Sequence, residues 1–261
     1  MLKLFRKIRK ELLSNGKIGQ YLKYAFGEIA LVVMGILIAI QIDNLNEERK
    51  QLAYGQELMQ ELVVEINKNI SILNWAIQNN QEASSVLETM YGIEDLRSLP
   101  TDSLFNFFAE ANIDIQAPNN TYEKIKSQGI TRLSKNEELN NKINLYFNLS
   151  VMTYNRRISF YLDRQAKRRA YLKDNLTVNF NYDPIKGFDP VDEVEMKKEM
   201  VAFLNLSQTK QLIIEMENDL DTQLSFLISY KEVWESLVVD IHNELSKSMD
   251  NLDPLPDFDK L

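Results

Sequence analysis

The chain has 261 residues, 44 % of them apolar, with only 8 Gly and 6 Pro. That composition supports a core built from long helices and argues against general disorder and turn-rich all-β folds. The absence of Cys and a single histidine, His242, exclude disulfides, thiolate metal sites and multi-histidine metal centres, and a net charge of −8 argues against nucleic acid as a partner.

The charge is divided along the chain. Residues 1–23 carry Lys3, Arg6, Lys7, Arg9, Lys10, Lys17 and Lys23 against Glu11, a balance of +6, whereas everything from Asp43 onward carries −13. Leu2, Phe5, Ile8, Leu12 and Leu13 share one helical face, and Lys3, Arg6, Lys7, Arg9 and Lys10 fill the others. This pattern predicts a basic amphipathic segment on an anionic membrane surface, with those five cations as lipid contacts. An ordinary solvated tail is the alternative. Asn15-Gly16 then turns the chain into the next element.

Residues 24–43 are expected to form a transmembrane helix. From Tyr24 to Ile42 the only strongly polar residues are Glu28 and Gln41. At 1.5 Å per residue this stretch covers about 28 Å, close to the thickness of a hydrocarbon core. The basic excess precedes the span, which predicts a cytoplasmic N-terminus and an external remainder. A cleaved signal fits poorly, because Gln41–Glu48 has no small-x-small site. A buried core helix is the competing reading. Gly35 and Ala39 form a small-residue patch for helix contact, and Gln41 can hydrogen-bond across it, so a homo-oligomer through this helix is possible. Glu28 lies near the cytoplasmic end, where snorkelling or helix pairing outweighs a proton relay.

The run from Tyr24 to Glu47, with Gly27-Glu28 before the apolar core and Gln41-Ile42-Asp43-Asn44 after it, resembles the N-terminal signature of a family of single-span proteins common in Bacteroidota, classed as a domain of unknown function. Thr121–Gly129, followed by Leu133, is similar to that family's Tyr-x-x-Leu-x-x-x-Gly segment, with Ile125 in the Leu position. Leu45 stands where the family has Trp. The resemblance implies an inner-membrane protein of a Gram-negative cell with a periplasmic helical domain; it implies no activity.

Residues 44–250 read as that helical domain. Leu58, Leu62, Ile66, Ile70, Leu73 and Ile77 recur at three- and four-residue steps, so one helix should continue from the span to about Tyr91. Pro100 interrupts the pattern, with Thr101-Asp102 able to cap a short helix. Asn120 and Glu123 form a capping box for a helix ending at Gly129, and Ser134 and Glu137 form another for a helix to about Asp174. Asn175–Gly187 reads as a loop, Asp189-Pro190 as a helix start, and Ser207 as the cap of a last helix striped by Leu212, Met216, Leu220, Leu224, Leu227, Trp234, Leu237, Ile241 and Leu245. Residues 251–261 read as a disordered acidic tail. The expected fold is all-α: a transmembrane helix followed by an elongated antiparallel bundle.

If residues 92–134 cap the far end of that bundle, the helix from Ser134 returns toward the membrane and brings Arg156, Arg157, Arg164, Lys167, Arg168, Arg169 and Lys173 to the outer headgroups. Arg168 and Arg169 are then expected to contact anionic lipid, with ion pairing to neighbouring helices as the alternative. The cluster Asp192, Glu193, Glu195 and Glu199 reads as acids at a helix start rather than a cation site. Tyr146, Tyr154, Tyr161 and Tyr171 read as packing residues that could border a cavity. No nucleotide, zinc-protease or nucleophile-elbow motif is present. The expectation is a non-enzymatic, membrane-anchored scaffold or interaction protein without a cofactor, whose partners are the lipid bilayer and an unidentified protein. The alternative is a ligand-sensing bundle that signals through a membrane partner.

Overall fold

A computed structural model describes residues 18–108, 110–113, 115–176, 180–183, 187–190 and 193–261. The fold is helical. Helix α1 (Ile18–Tyr91) has 74 residues. Then come α2 (Thr101–Leu104), α3 (Asn120–Ser127), α4 (Glu137–Leu145), a π-helical segment (Tyr146–Val151), α5 (Met152–Asn175), α6 (Glu193–Leu204) and α7 (Ser207–Leu245). Between α5 and α6, strands β1 (Phe180–Asp183) and β2 (Gly187–Pro190) pair antiparallel, with Phe180 opposite Pro190. The chain divides into two compact units, residues 1–55 and 56–261.

In the first unit, the described residues belong to the start of α1. The side chains from Leu31 to Ile42 are all exposed, although most are large and apolar. This helix is long and apolar enough to cross a membrane. The expected basic segment, with Lys3, Arg6, Lys7, Arg9 and Lys10, lies outside the described residues.

The second unit owes its core to three apolar stripes. From α1, Leu58, Leu62, Ile66, Ile70 and Leu73 are fully buried. The long helix contributes Leu139, Ile143, Tyr146, Val151, Tyr154, Ile158 and Tyr161, and α7 contributes Met216, Leu220, Leu227, Trp234, Leu237, Ile241 and Leu245. These are the three- and four-residue repeats of the sequence, each turned inward. Leu212 pads the core from its edge.

Contacts at the two ends fix the directions. Gln56 donates to Ser248 Oγ at 2.8 Å, and Gln60 approaches Met249 Sδ at 3.2 Å, so the residues just after α7 lie beside the first turns of this unit. At the other end Tyr91 hydrogen-bonds Glu217. Helix α7 therefore runs antiparallel to α1. It is also antiparallel to α5: Trp234 meets Ser150, Tyr230 meets Tyr154, and Asp219 meets Arg168. Consequently α5 runs in the same direction as α1.

That direction corrects the expected path. Residues 92–134 do not merely cap the far end. They carry the chain back along the bundle, bonded to it step by step. Ala111 N donates to Tyr161 Oη at 3.2 Å, Ala117 N to Asn155 Oδ1 at 2.8 Å, and Thr121 N to Glu65 at 2.9 Å. Lys124 pairs with Glu61 at 2.8 Å, and Ser134 donates to Glu244. The segment lacks a long apolar stripe, yet its backbone groups are satisfied by side chains of neighbouring helices.

Several caps differ from the expected ones. Asn136, not Ser134, caps α4 by accepting from Leu139 N at 3.2 Å. Ser134 Oγ accepts from Asn136 N instead. The orphan amide of Thr121, at the start of α3, is capped by Glu65 from α1 rather than by a local side chain. Asp189-Pro190 belongs to β2, and α6 begins at Glu193. Gly129 closes α3 at φ +68°, a conformation that disfavours any Cβ.

Residues 251–261 are not a loose tail. Leu252, Phe258 and Leu261 pack against the core. Asn74 Nδ2 donates to Phe258 O at 2.7 Å, Lys231 pairs with Asp259, and His242 Nε2 lies 3.1 Å from Asp253 O. The acidic composition hid three apolar anchors.

Candidate functional site

The expected membrane-helix contacts lie on α1. Gly35, Ala39 and Gln41 are exposed, and a Cβ added at Gly35 would meet nothing within 4 Å among the described residues. Glu28 is half-buried on the same helix. The small-residue patch is thus open to another helix.

The expected lipid-binding band divides. Arg168 is only 8 % exposed. Its Nε meets Glu110 at 2.6 Å, and its Nη1 meets Asp219 at 2.8 Å. Arg164 also reaches Asp219, at 3.1 Å. Burial pushes the Glu110 carboxyl above its usual range, against the pull of Arg168 and Arg169. Arg168 is a structural cation sealed between α5, α7 and the returning strap, so its expected contact with headgroups is corrected. Arg169 is largely exposed and stands 3.6 Å from Glu110. Both arginines lie near the level of Tyr91, the end of this unit remote from Gln56. Along α1 those two residues are about 50 Å apart.

The acidic residues at the start of α6 disperse. Thr101 Oγ1 donates to Glu193 at 3.3 Å, and Glu195 pairs with Lys198 at 3.2 Å; Asp192 lies outside the described residues. Among the described residues no cluster of His, Asp and Glu is arranged to hold a metal ion.

A groove of about 680 Å³ lies between the α4–π–α5 helix and α7. Its floor holds Tyr146, Ser150, Tyr230 and Leu237. Trp234 lies fully buried beneath it and donates from Nε1 to Ser150 Oγ at 2.7 Å. Tyr146 and Tyr154 meet the Trp234 ring edge-on at 5.4 Å each. Burial raises the Tyr146 and Tyr154 hydroxyl pKa values well above the ordinary range, so both stay neutral. At one end the Arg157 guanidinium stacks over Phe226, 3.3 Å from the ring centroid. At the other, Lys142 bridges Glu138 and Asp240 at 3.2 and 2.8 Å.

The π-helical segment forms part of one wall. Such insertions recur at functional sites, because they displace side chains from the α-helical register. Nothing in the residues Tyr146–Val151 announces it: there is no Gly or Pro, and the apolar spacing stays helical. Of the tyrosines expected as packing residues, Tyr146, Tyr154 and Tyr161 are buried in the core and Tyr171 is half-buried against Phe203; Tyr146 also borders the groove. Sequence reasoning missed the exposed wall residues. Leu145 and Leu149 are each 59 % exposed and Val233 is 53 %; Met152, just beyond the lining, is 55 % exposed. Their signal was available as a second apolar row beside the buried stripe. No known protein family, curated protein or solved structure matches the chain.

Proposed function

We propose that the chain is a non-enzymatic, membrane-anchored helical interaction protein. The observation that carries this reading is the apolar groove beside α7, with Leu145, Leu149, Met152 and Val233 standing in solvent. A contiguous apolar surface of this kind marks an interaction site. The anchor is the apolar stretch of α1, which has the length and composition of a span. The preceding +6 segment orients the N-terminus to the cytoplasm and the second unit to the outside. With the family resemblance, this orientation corresponds to an inner membrane and a periplasmic domain. Lys3, Arg6, Lys7, Arg9 and Lys10 remain the proposed lipid contacts on the cytoplasmic side.

The test is co-purification from gently solubilised membranes, comparing the native chain with Leu149→Asp. Proteins retained by the native chain and lost from the variant support the reading. An identical set from both refutes it. Protease treatment of spheroplasts checks the orientation: degradation of the second unit is expected, and its protection would reverse the topology. The groove's volume also falls in the range of small-molecule sites, which favours ligand sensing as the second reading. Repeated saturable rises in melting temperature across a metabolite screen would establish it.

A further inference from the structure

We infer that the groove beside α7 is the docking face for a second copy of this same chain, which deepens the interaction reading by naming the partner. Leu145, Leu149 and Met152 form a raised apolar ridge on the α4–π–α5 helix, each more than half exposed. The exposed Arg156 continues this row beyond Met152, whereas Lys142 at its other end is already bridged to Glu138 and Asp240. Beside the ridge lies the trough, whose opposite wall is α7. That wall carries Val233 together with the exposed anion Glu232; Asp240 farther along it is held by Lys142 of the same chain.

The ideal occupant of such a trough is a helix with an apolar ridge that ends in a cation. The chain displays that element one wall away. A two-fold axis running along the groove sets each ridge into the other copy's trough and brings Arg156 of each copy toward Glu232 of the other. The surface is therefore self-complementary in shape and charge, as an isologous dimer requires. A small apolar ligand fits less well. It would fill the trough and cover Leu145 and Leu149, which line it, but leave Met152, outside that lining, in water.

The native chain has no cysteine, so single-cysteine variants give an unambiguous map. Full-length Leu149→Cys and Val233→Cys proteins, carrying different tags, are mixed in detergent micelles at low occupancy and oxidised. The control pairs each with Val64→Cys, an exposed position on α1 outside the groove. The expected result is at least fivefold more mixed-tag dimer from Leu149→Cys with Val233→Cys than from either control. Adding Leu145→Asp to one member should return that yield to the control level. Equal yields from all pairs would overturn the inference, as would a yield insensitive to Leu145→Asp, which assigns dimerisation to the span. If Leu149→Cys cross-links in native membranes to a different protein and not to itself, the self-docking inference falls and the interaction reading survives. If it cross-links to neither, and co-purification is also unchanged by Leu149→Asp, both fall. A long-chain fatty acid that raises the melting temperature while no cross-link forms would give the trough to an apolar ligand and also overturn the inference.

Discussion

Replacing Arg168 with Ala separates a structural cation from a lipid-binding one. The side chain is nearly enclosed and joins Glu110 to Asp219. After truncation Asp219 keeps Arg164 at 3.1 Å, but Glu110 keeps only the exposed Arg169 at 3.6 Å. Breaking a buried pair from one side costs about 3–5 kcal/mol, and the surviving partners place this case near the lower end, about 3 kcal/mol. For a folded unit of this size that corresponds to a fall of roughly 6–12 °C in melting temperature. The loss should also depend on pH. Burial raises the Glu110 carboxyl in the folded chain, so its folded pKa lies above its unfolded one. Its contribution to stability is therefore complete below the unfolded value and declines as pH rises through the folded value. Protonated Glu110 has little need of Arg168, so the deficit of the variant should shrink as the solution is acidified. Thermal unfolding followed by circular dichroism in detergent, across the range from acid to neutral, measures both effects. An unchanged melting temperature, with affinity for anionic vesicles lost instead, would refute the structural assignment and restore the lipid one.

Three further outcomes are expected from the same assay. Glu244→Gln should remove part of the acid sensitivity of the native chain: Lys247 and Ser134 hold the Glu244 carboxyl below its usual range, so its stabilisation is present above the unfolded pKa and lost as pH falls through the folded one; identical acid profiles would contradict this. Gly129→Ala should cost about 1 kcal/mol, because φ +68° strains any side chain although no neighbour crowds the site; a neutral effect would mean that the turn relaxes. Asn80 is fully buried on α1 with neither amide atom partnered among the described residues, so Asn80→Leu should stabilise the chain by about 1–3 kcal/mol, and a loss of stability instead would show that the amide is satisfied in solution.

The legible parts of this fold are those governed by periodicity. The stripe from Leu58 to Leu73 foretold the buried face of α1, the end at Tyr91 was read correctly, and the repeat from Met216 to Leu245 foretold most of the core face of α7. These follow from helix geometry and need no knowledge of what lies opposite. What failed depends on partners distant in the chain. Arg168 looks like any other member of a basic run until Glu110 and Asp219 close around it. The tail looked polar because Phe258 and Leu261 are outnumbered by acids, but Asn74 and Lys231 receive it. The return path of residues 92–134 is set by Glu61, Glu65 and Asn155, whose roles no local pattern encodes. The groove is half legible: Tyr146 stands out in the sequence, while the ridge of Leu145, Leu149 and Met152 is masked by the stronger buried stripe beside it.

The capping of α3 by Glu65 has a bearing on the order in which the molecule assembles. The carboxylate that quiets the first turn of α3 sits 56 positions earlier in the chain, on a helix already synthesised when Thr121 emerges. Residues 120–127 thus meet a template that precedes them. The last long helix is different: Gln56 waits for Ser248, 192 positions later. Until that helix leaves the ribosome, the oily face from Leu58 to Leu73 lacks one of its lids. The nascent polypeptide therefore passes through an interval of stickiness, and its yield in a cell should depend on how promptly synthesis completes or on a chaperone that shelters the gap.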